Sequence, residues 1–500
     1  MDQTQERKQT DADHERATNH GRLSGNLGVF DLTMTVLAAS APLSVIAALV
    51  PVAMAVGNGS GLVSSFLIAG AVLLLFAVGF VTMARLISAK GEGAGAFYIY
   101  LTKGLGRSHG LGGAFLAIFS YTLLQTGTFG MIGQSSVEFL SGRLGLPAFP
   151  WWAATAAFWL LVATLGYRRI DLSAKVLGIT MLGEIAVVAM LDLAVLFEGS
   201  PQGGLDFAPY SLSNAVSGNA PIGVMLAAAS FLGFEATAIY SEEVRSPQKT
   251  IPRATFISII LIAVFYSIST FFLVNAFGVD SAEQMAREAP TQMLPSAMET
   301  YIGRVSVDIM YVLLITSLFA AVLSFHNTLA RYFFNFGCDG VLPAAFGQPH
   351  ARHGSPARGS LLQSAMVLAV IAPVVILGGD PVLQLYAWGV GVGALGMLLL
   401  FAVASFAILR YLNRPEIQGT FWRHRAAPFL GLVGLTLIAG YAMKNFDLFV
   451  DTSPALAAIF LASIFASYAL GLWLAQRWRR TRPEWYEVIV TAATESPGKA

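Results

Sequence analysis

The amino-acid sequence predicts an all-α integral membrane protein with about twelve transmembrane helices. Hydrophobic residues make up 55% of the 500 residues, whereas charged residues make up only 12%. The mean hydropathy of +0.65 is too high for a water-soluble chain of this size. Apolar runs of about 20 residues, the length that crosses a bilayer as a helix, recur almost without pause from Leu27 to Leu474. We therefore expect one membrane domain that has the lipid bilayer as its solvent.

The ends of the chain differ from this apolar middle. Residues 1–26 are polar and lack the apolar core and cleavage site of a signal peptide, so we expect a disordered cytoplasmic tail there. The membrane domain is expected at residues 27–476, and residues 477–500 are expected to form a second cytoplasmic tail. The net charge of +1 gives no reason to expect a nucleic-acid partner. Cys338 is the only cysteine, which excludes an internal disulfide and a cysteine-based metal cluster, and we expect neither cofactor nor metal.

Twelve membrane spans can be placed along the domain, with boundaries uncertain by a few residues. They cover residues 28–56, 61–87, 112–139, 151–167, 172–198, 219–244, 254–278, 305–335, 361–378, 384–411, 427–446 and 454–476.

The distribution of Lys and Arg tests this count, because basic residues accumulate in cytoplasmic loops. With both termini inside, the tails and even-numbered loops hold all but four of the 30 basic residues. The four on the opposite side are Arg143, Arg287, Arg304 and Lys444. Shifting the register by one helix would destroy this asymmetry, so both termini are predicted to be cytoplasmic.

Two spans contain helix-breaking residues near mid-membrane. The first span has Pro42 after Ser40 and Ala41, and the sixth has Gly233 two residues before Glu235. A break at this depth exposes backbone polar groups that lipid cannot satisfy, so it indicates a cavity lined by protein or water. Spans one and six correspond if the first ten helices form two five-helix repeats of opposite topology, and paired breaks of this kind point to a carrier's binding site. A simple proline kink and close glycine packing are the structural alternatives.

Three stretches resemble the amino acid–polyamine–organocation permease superfamily. They are Gly91 to Tyr100 after the second span, Ser230 to Ala254 across the sixth span, and Asn327 to Pro343 at the end of the eighth. With the helix count, the resemblance covers about residues 28–476. It implies a five-plus-five inverted repeat with broken helices one and six, two extra C-terminal helices, and a substrate site between helices one, three, six, eight and ten. It also implies transport by alternating access.

The sequence departs from this family at three positions. Pro42 has no backbone N–H where many relatives have glycine-rich backbone that cradles a substrate carboxylate. Glu184 stands where many relatives carry a lysine that takes the place of a coupling sodium ion, and Cys338 stands where arginine is common. Carboxylate recognition and ion coupling therefore do not carry over directly.

Ionisable side chains within the bilayer are costly and are candidates for proton or ion coupling. Glu235 lies just past the sixth-span break, where it can pair with a substrate ammonium or exchange a proton; the alternative is a carboxyl that bonds to freed backbone groups. Glu184 lies near mid-membrane and can hold a proton or a cation, or pair with a neighbouring Ser or Thr. His326 suits a proton relay but can equally be a packing histidine.

The remaining candidates are aromatic and small polar residues expected to face the two breaks, each with ordinary packing as the alternative. The candidate substrate-binding residues are Ser40, Ala41, Pro42, Tyr121, Gln125, Phe231, Leu232, Gly233, Phe234, Glu235 and Trp388, and Tyr386 is a further candidate wall residue.

These observations predict a secondary transporter for an amino acid or related amine, with proton symport as the first mechanism and substrate–product antiport as the alternative. The expected partners are the small-molecule substrate and a coupling proton or counter-substrate, while the sequence leaves the oligomeric state open. A channel or a transporter-like sensor are distant alternatives. An enzyme is disfavoured because no catalytic set, zinc-ligand spacing or phosphate loop is present. The high Ala, Gly and Arg content suggests a bacterial cytoplasmic membrane.

Overall fold

The computed structural model describes residues 28–88, 97–168, 174–235, 237, 244, 246–447 and 454–488. The two distal tails, most of the Gly91–Tyr100 motif, and Glu242 and Glu243 of the sixth-span motif lie outside the described residues. Every secondary-structure element assigned in the described ranges is a helix, which confirms the predicted all-α class.

Helices occupy all twelve predicted positions, and we number the principal ones α1 to α17 in chain order. The first span is divided into α1 (Val29–Ala39) and α2 (Pro42–Val56), and the sixth contains the short α8 (Ala220–Ala229). The other ten spans are α3 (Leu62–Ser88), α5 (Arg107–Arg143), α6 (Trp151–Arg168), α7 (Ala174–Glu198), α9 (Pro247–Phe277), α12 (Arg304–Cys338), α13 (Ala357–Ile376), α14 (Pro381–Leu412), α15 (Trp422–Lys444) and α16 (Pro454–Thr481).

Nine helices of the described ranges are long and apolar enough to cross a membrane. The exceptions are the two interrupted spans and α6, whose 18 residues include three tryptophans, two threonines and an arginine. The protein is thus a multi-pass membrane protein, whereas the inverted repeat stays a prediction.

The sequence analysis missed four short helices. These are α4 (Phe97–Leu105), α10 (Val279–Glu288), α11 (Met293–Tyr301) and α17 (Pro483–Val488). None is long enough to span a bilayer, and α10 is mostly polar with only Ala282 and Ala286 buried, so a search for long apolar runs passes over them.

The two interrupted spans touch each other where α2 ends and α8 begins. Asn219 donates its backbone N–H to the carbonyl of Gly57 at 2.9 Å. A Cβ atom on Gly57 would lie 2.9 Å from the Cα of Gly223, so only glycine permits this backbone approach. Helix α5 packs against α4, α6, α12, α14 and α16, which puts it at the centre of the bundle beside both breaks.

Candidate functional site

A cavity of about 90 Å³ lies between the two breaks. Its walls come from both broken spans and from α5, α12 and α14. The lining residues are Ser40, Ala41, Ser44, Val45, Leu49, Leu124, Thr128, Ala229, Ser230, Leu232, Leu318, Ala321, Phe325, Tyr386 and Val390. The polar groups of this lining are the serine and threonine hydroxyls and the phenol of Tyr386. The other lining side chains are apolar.

The first break is a backbone turn centred on Ala41. This alanine has φ 47° and ψ 70°, and it is the one non-glycine residue with a positive φ among the residues described. An L-residue pays a steric cost in this left-handed region, so surrounding contacts must hold the turn in place. Tyr266 of α9 supplies one such contact, because its hydroxyl donates to the Ser40 carbonyl at 3.0 Å. Helix α2 then begins with Pro42, which needs no N–H partner at a helix start.

Glu184 binds the backbone on the far side of this turn. The buried carboxylate, carried by α7, accepts the N–H of Leu43 at 3.2 Å. Ser44, the next residue, donates its hydroxyl to Ser317 on α12 at 2.9 Å. Since Ser44 lines the cavity, this bond connects the cavity wall to α12.

The second break follows the last residue of α8. Gly233 has a φ of 111°, a conformation that favours glycine, and its N–H donates to Glu235 Oε2 at 2.9 Å. The other carboxylate oxygen accepts the hydroxyl of Tyr121 from α5 at 2.5 Å. Glu235 is buried and thus has partners for both oxygens.

The two breaks therefore share one arrangement. At each of them a buried carboxylate accepts a backbone N–H, from Leu43 to Glu184 and from Gly233 to Glu235. Neither carboxylate lines the cavity. The cavity is lined instead by Ser44, the neighbour of Leu43, and by Leu232, the neighbour of Gly233. Each carboxylate is thus bonded directly to the backbone beside a residue that lines the cavity.

The helix ends give the cavity its electrostatic character. Ser40 and Ala41 follow the carboxyl end of α1, and Ala229 and Ser230 form the carboxyl end of α8. Helix carboxyl ends carry partial negative charge, so two such ends favour a cation between them. At the opposing start of α2, the N–H of Leu43 is already engaged by Glu184. No Asp, Glu, Lys, Arg or His belongs to the cavity lining formed by the described residues.

Several candidates from the sequence lie close to the cavity without lining it. Tyr121 holds Glu235, while Gln125 is fully buried, donates to the Val322 carbonyl and accepts from Gln363 at 2.8 Å. Phe231 and Phe234 are fully buried, and Phe234 packs edge-on against the rings of Phe76, Phe80 and Phe401.

His326 and Trp388 point to other parts of the bundle. His326 is buried on α12, with Nε2 2.8 Å from the hydroxyl of Ser360 on α13. Trp388 packs against Phe460 of α16, with 5.8 Å between ring centroids. Of the two aromatic residues expected from the tenth span, Tyr386 lines the cavity.

The sequence analysis expected the eighth span, α12, at the site but named none of its wall residues, and it did not anticipate the contribution of α9. Tyr266 bonds to Ser40 and Ser317 bonds to Ser44. A wall of the cavity is formed by Leu318, Ala321 and Phe325. The i, i+3, i+7 spacing of this wall is an ordinary helix face, which gives no functional signal in an apolar helix. No group of three or more His, Cys, Asp or Glu side chains able to hold a metal ion occurs in the described part of the chain.

Comparison with known proteins identifies the family. The amino acid permease family matches residues 31–485. An uncharacterized transporter of Rhizobium meliloti is 26% identical over 71% of this chain and 73% of its own length. The low-affinity putrescine importer PlaP of Escherichia coli is 26% identical over 45% of this chain and 50% of its length. The branched-chain amino acid permease BcaP of Lactococcus lactis is 23% identical over 42% and 43%, respectively. Together with the multi-pass helical fold, the match over nearly the whole chain shows that this protein belongs to the amino acid permease family of membrane transporters.

Proposed function

We propose that this protein is a secondary active transporter of an amino acid or related amine, that it works by alternating access, and that it couples transport to protons. The cavity between the two breaks is the proposed substrate site. The observation that carries the coupling proposal is that Glu184 and Glu235 each bind a backbone N–H of a break that forms this cavity.

The substrate is proposed to enter with its amine between the carboxyl ends of α1 and α8. These helix ends favour a cation, and the hydroxyls of Ser40, Ser44 and Ser230 are suited to accept its hydrogen bonds. Two relatives are named as a putrescine importer and a branched-chain amino acid permease. The substrates in these two names both contain an amine. Because Glu184 engages the start of α2, a free carboxylate is not a required feature of the substrate.

The same contacts support the proposal of proton coupling. A carboxylate accepts a hydrogen bond from an N–H more strongly when it is ionised than when it is protonated. Protonation of Glu184 or Glu235 would loosen the turn to which that carboxylate is bonded, and deprotonation would tighten it. The two breaks are thus proposed as the hinges at which proton binding changes the exposure of the cavity.

Uptake into proteoliposomes tests this proposal. A panel of radiolabelled amines and amino acids would be offered with and without an inward proton gradient to the wild type, Glu184→Gln and Glu235→Gln. Glu416→Gln is the matched control, since Glu416 is exposed in a loop. We expect accumulation driven by the gradient in the wild type and control, and its loss in the two buried variants.

The alternatives give different results. Exchange of internal for external substrate that ignores the gradient would replace symport with antiport, while leaving the cavity as the proposed site. Absence of saturable transport for every amine and amino acid tested would overturn the assignment.

A further inference from the structure

A second, larger cavity opens at the predicted cytoplasmic side of the bundle. It measures about 720 Å³ and lies where α4 meets α5 and where α16 leads into α17. The polar residues that line it are Ser108, His109, Gln476, Arg479, Arg480 and Tyr486. It is separate from the proposed substrate site and shares no lining residue with it.

Among the side chains that the structure describes, no carboxylate neutralises the positive charge of this cavity. Within the ranges that the structure describes, neither Arg479 nor Arg480 has an acidic side chain within ion-pair distance. Glu487, which follows the cavity residue Tyr486, is engaged by Arg107 at 2.5 Å. Arg479 and Arg480 therefore line the cavity without an acidic partner among the described side chains. Guanidinium groups are well suited to binding phosphate oxygens.

Hydrogen bonds and ring contacts hold the other walls in place. His109 Nδ1 lies 2.8 Å from the hydroxyl of Tyr468 on α16. The hydroxyls of Ser108 and Tyr486 lie 3.4 Å apart, and the guanidinium of Arg479 sits 6.0 Å from the Tyr486 ring centre. The start of α5, the end of α16 and α17 are thus joined around the cavity.

The level of the cavity in the membrane is indicated by the end of α16. Trp473 is 55% exposed, and the guanidinium of Arg477 lies 5.5 Å from its ring centre. Exposed Trp and Arg at the end of an apolar helix are typical of the membrane–water interface. Arg479 and Arg480 follow Trp473 by no more than about 11 Å along a helix that rises 1.5 Å per residue, which is head-group depth.

We propose that this cavity binds the phosphate head group of an anionic phospholipid from the cytoplasmic leaflet. Arg479 and Arg480 bind the phosphate, and Ser108, His109 and Gln476 bind its ester or glycerol oxygens. Basic pockets at this side of membrane proteins recognise such head groups. A soluble phosphate compound shares the chemistry, but the interfacial depth of the cavity favours a ligand that is anchored in the bilayer.

Lipid binding to the purified full-length protein tests the proposal. Native mass spectrometry and thermal unfolding would be followed while phosphatidylglycerol, cardiolipin or phosphatidylcholine is added to detergent-solubilised protein. Inorganic phosphate and glycerol 3-phosphate provide the soluble arms. The variant is Arg479→Gln/Arg480→Gln, and the control is Arg352→Gln/Arg423→Gln, which removes two exposed charges elsewhere on the predicted cytoplasmic side.

We expect the anionic lipids, but not phosphatidylcholine, to bind the wild type and raise its unfolding temperature. The cavity variant should bind them roughly thirtyfold more weakly, since each arginine near an anionic surface contributes about a factor of five, and the control should bind as the wild type does. Unfolding temperatures in phosphatidylcholine would show whether the variant is folded. Equal binding by a folded cavity variant would overturn the proposal, as would binding of inorganic phosphate or glycerol 3-phosphate at the same site with equal affinity.

Discussion

Substitution of Glu184 probes the support of the first break. In Glu184→Leu the side chain keeps a similar volume but loses its acceptors. The buried N–H of Leu43 then has no partner. A buried donor left unpaired costs about 1–3 kcal/mol. The expected loss of stability of Glu184→Leu is therefore about 1–3 kcal/mol.

The Glu184→Gln variant separates hydrogen bonding from packing and charge. Glutamine keeps one carbonyl oxygen that can accept the Leu43 N–H, so Glu184→Gln is expected to be more stable than Glu184→Leu. The assay is unfolding of the purified variants in detergent, followed by intrinsic tryptophan fluorescence. Ser317→Ala is the companion variant, because it removes the hydroxyl that accepts from Ser44 and leaves the bond between Leu43 and Glu184 in place. If Glu184→Leu unfolds at the same point as the wild type, the carboxylate does not hold the break and the reasoning is wrong.

Three further predictions concern the neighbouring contacts. Tyr121→Phe removes the hydroxyl that Glu235 accepts at 2.5 Å and should lower stability by about 1.5–3 kcal/mol in the same unfolding assay; an unchanged midpoint would contradict this. Ala41→Gly relieves a left-handed alanine at φ 47°, so it should be neutral or stabilising by up to about 1 kcal/mol, whereas the same change inside a helix costs about 1 kcal/mol. Gly389→Ala would put a Cβ 2.8 Å from the Leu123 carbonyl oxygen and should cost about 1–3 kcal/mol by separating α14 from α5. Gly440→Ala, with no atom within 4 Å of the new Cβ, is the control for that change, and equal effects of the two would refute the packing argument.

The positions of the membrane helices were predictable because length and hydropathy decide which segments can cross a bilayer. The two breaks were also predictable in place, since Pro42 and Gly233 stand out within apolar runs. Their geometry was not, because the left-handed residue is Ala41, an alanine that gives no conformational signal. Tyr266 bonds to the turn at Ser40, and Glu184 bonds to it at Leu43. Both contacts join residues that are more than 140 positions apart in the sequence.

The faces of the helices were the least predictable feature. Helix α14 is hydrophobic around its whole circumference, so the sequence does not indicate which side meets the cavity. Tyr386 and Trp388 were equally good candidates for this reason, and the structure puts Tyr386 at the cavity and Trp388 against α16. Glu184 and Glu235 were recognised because ionisable residues are rare in membrane helices, although their bonds to the two breaks came only from the structure.

Filling the cavity tests most directly whether it is the substrate site. Ala321 lines the cavity on α12, so Ala321→Phe would occupy the space between the breaks. Ala157→Phe on the exposed face of α6 is the same substitution away from the cavity. Saturable uptake of the transported amine should be abolished by Ala321→Phe, in protein that still unfolds cooperatively, and should be retained by Ala157→Phe. Uptake by Ala321→Phe with the rate and half-saturation of the wild type would contradict the assignment of this cavity as the substrate site.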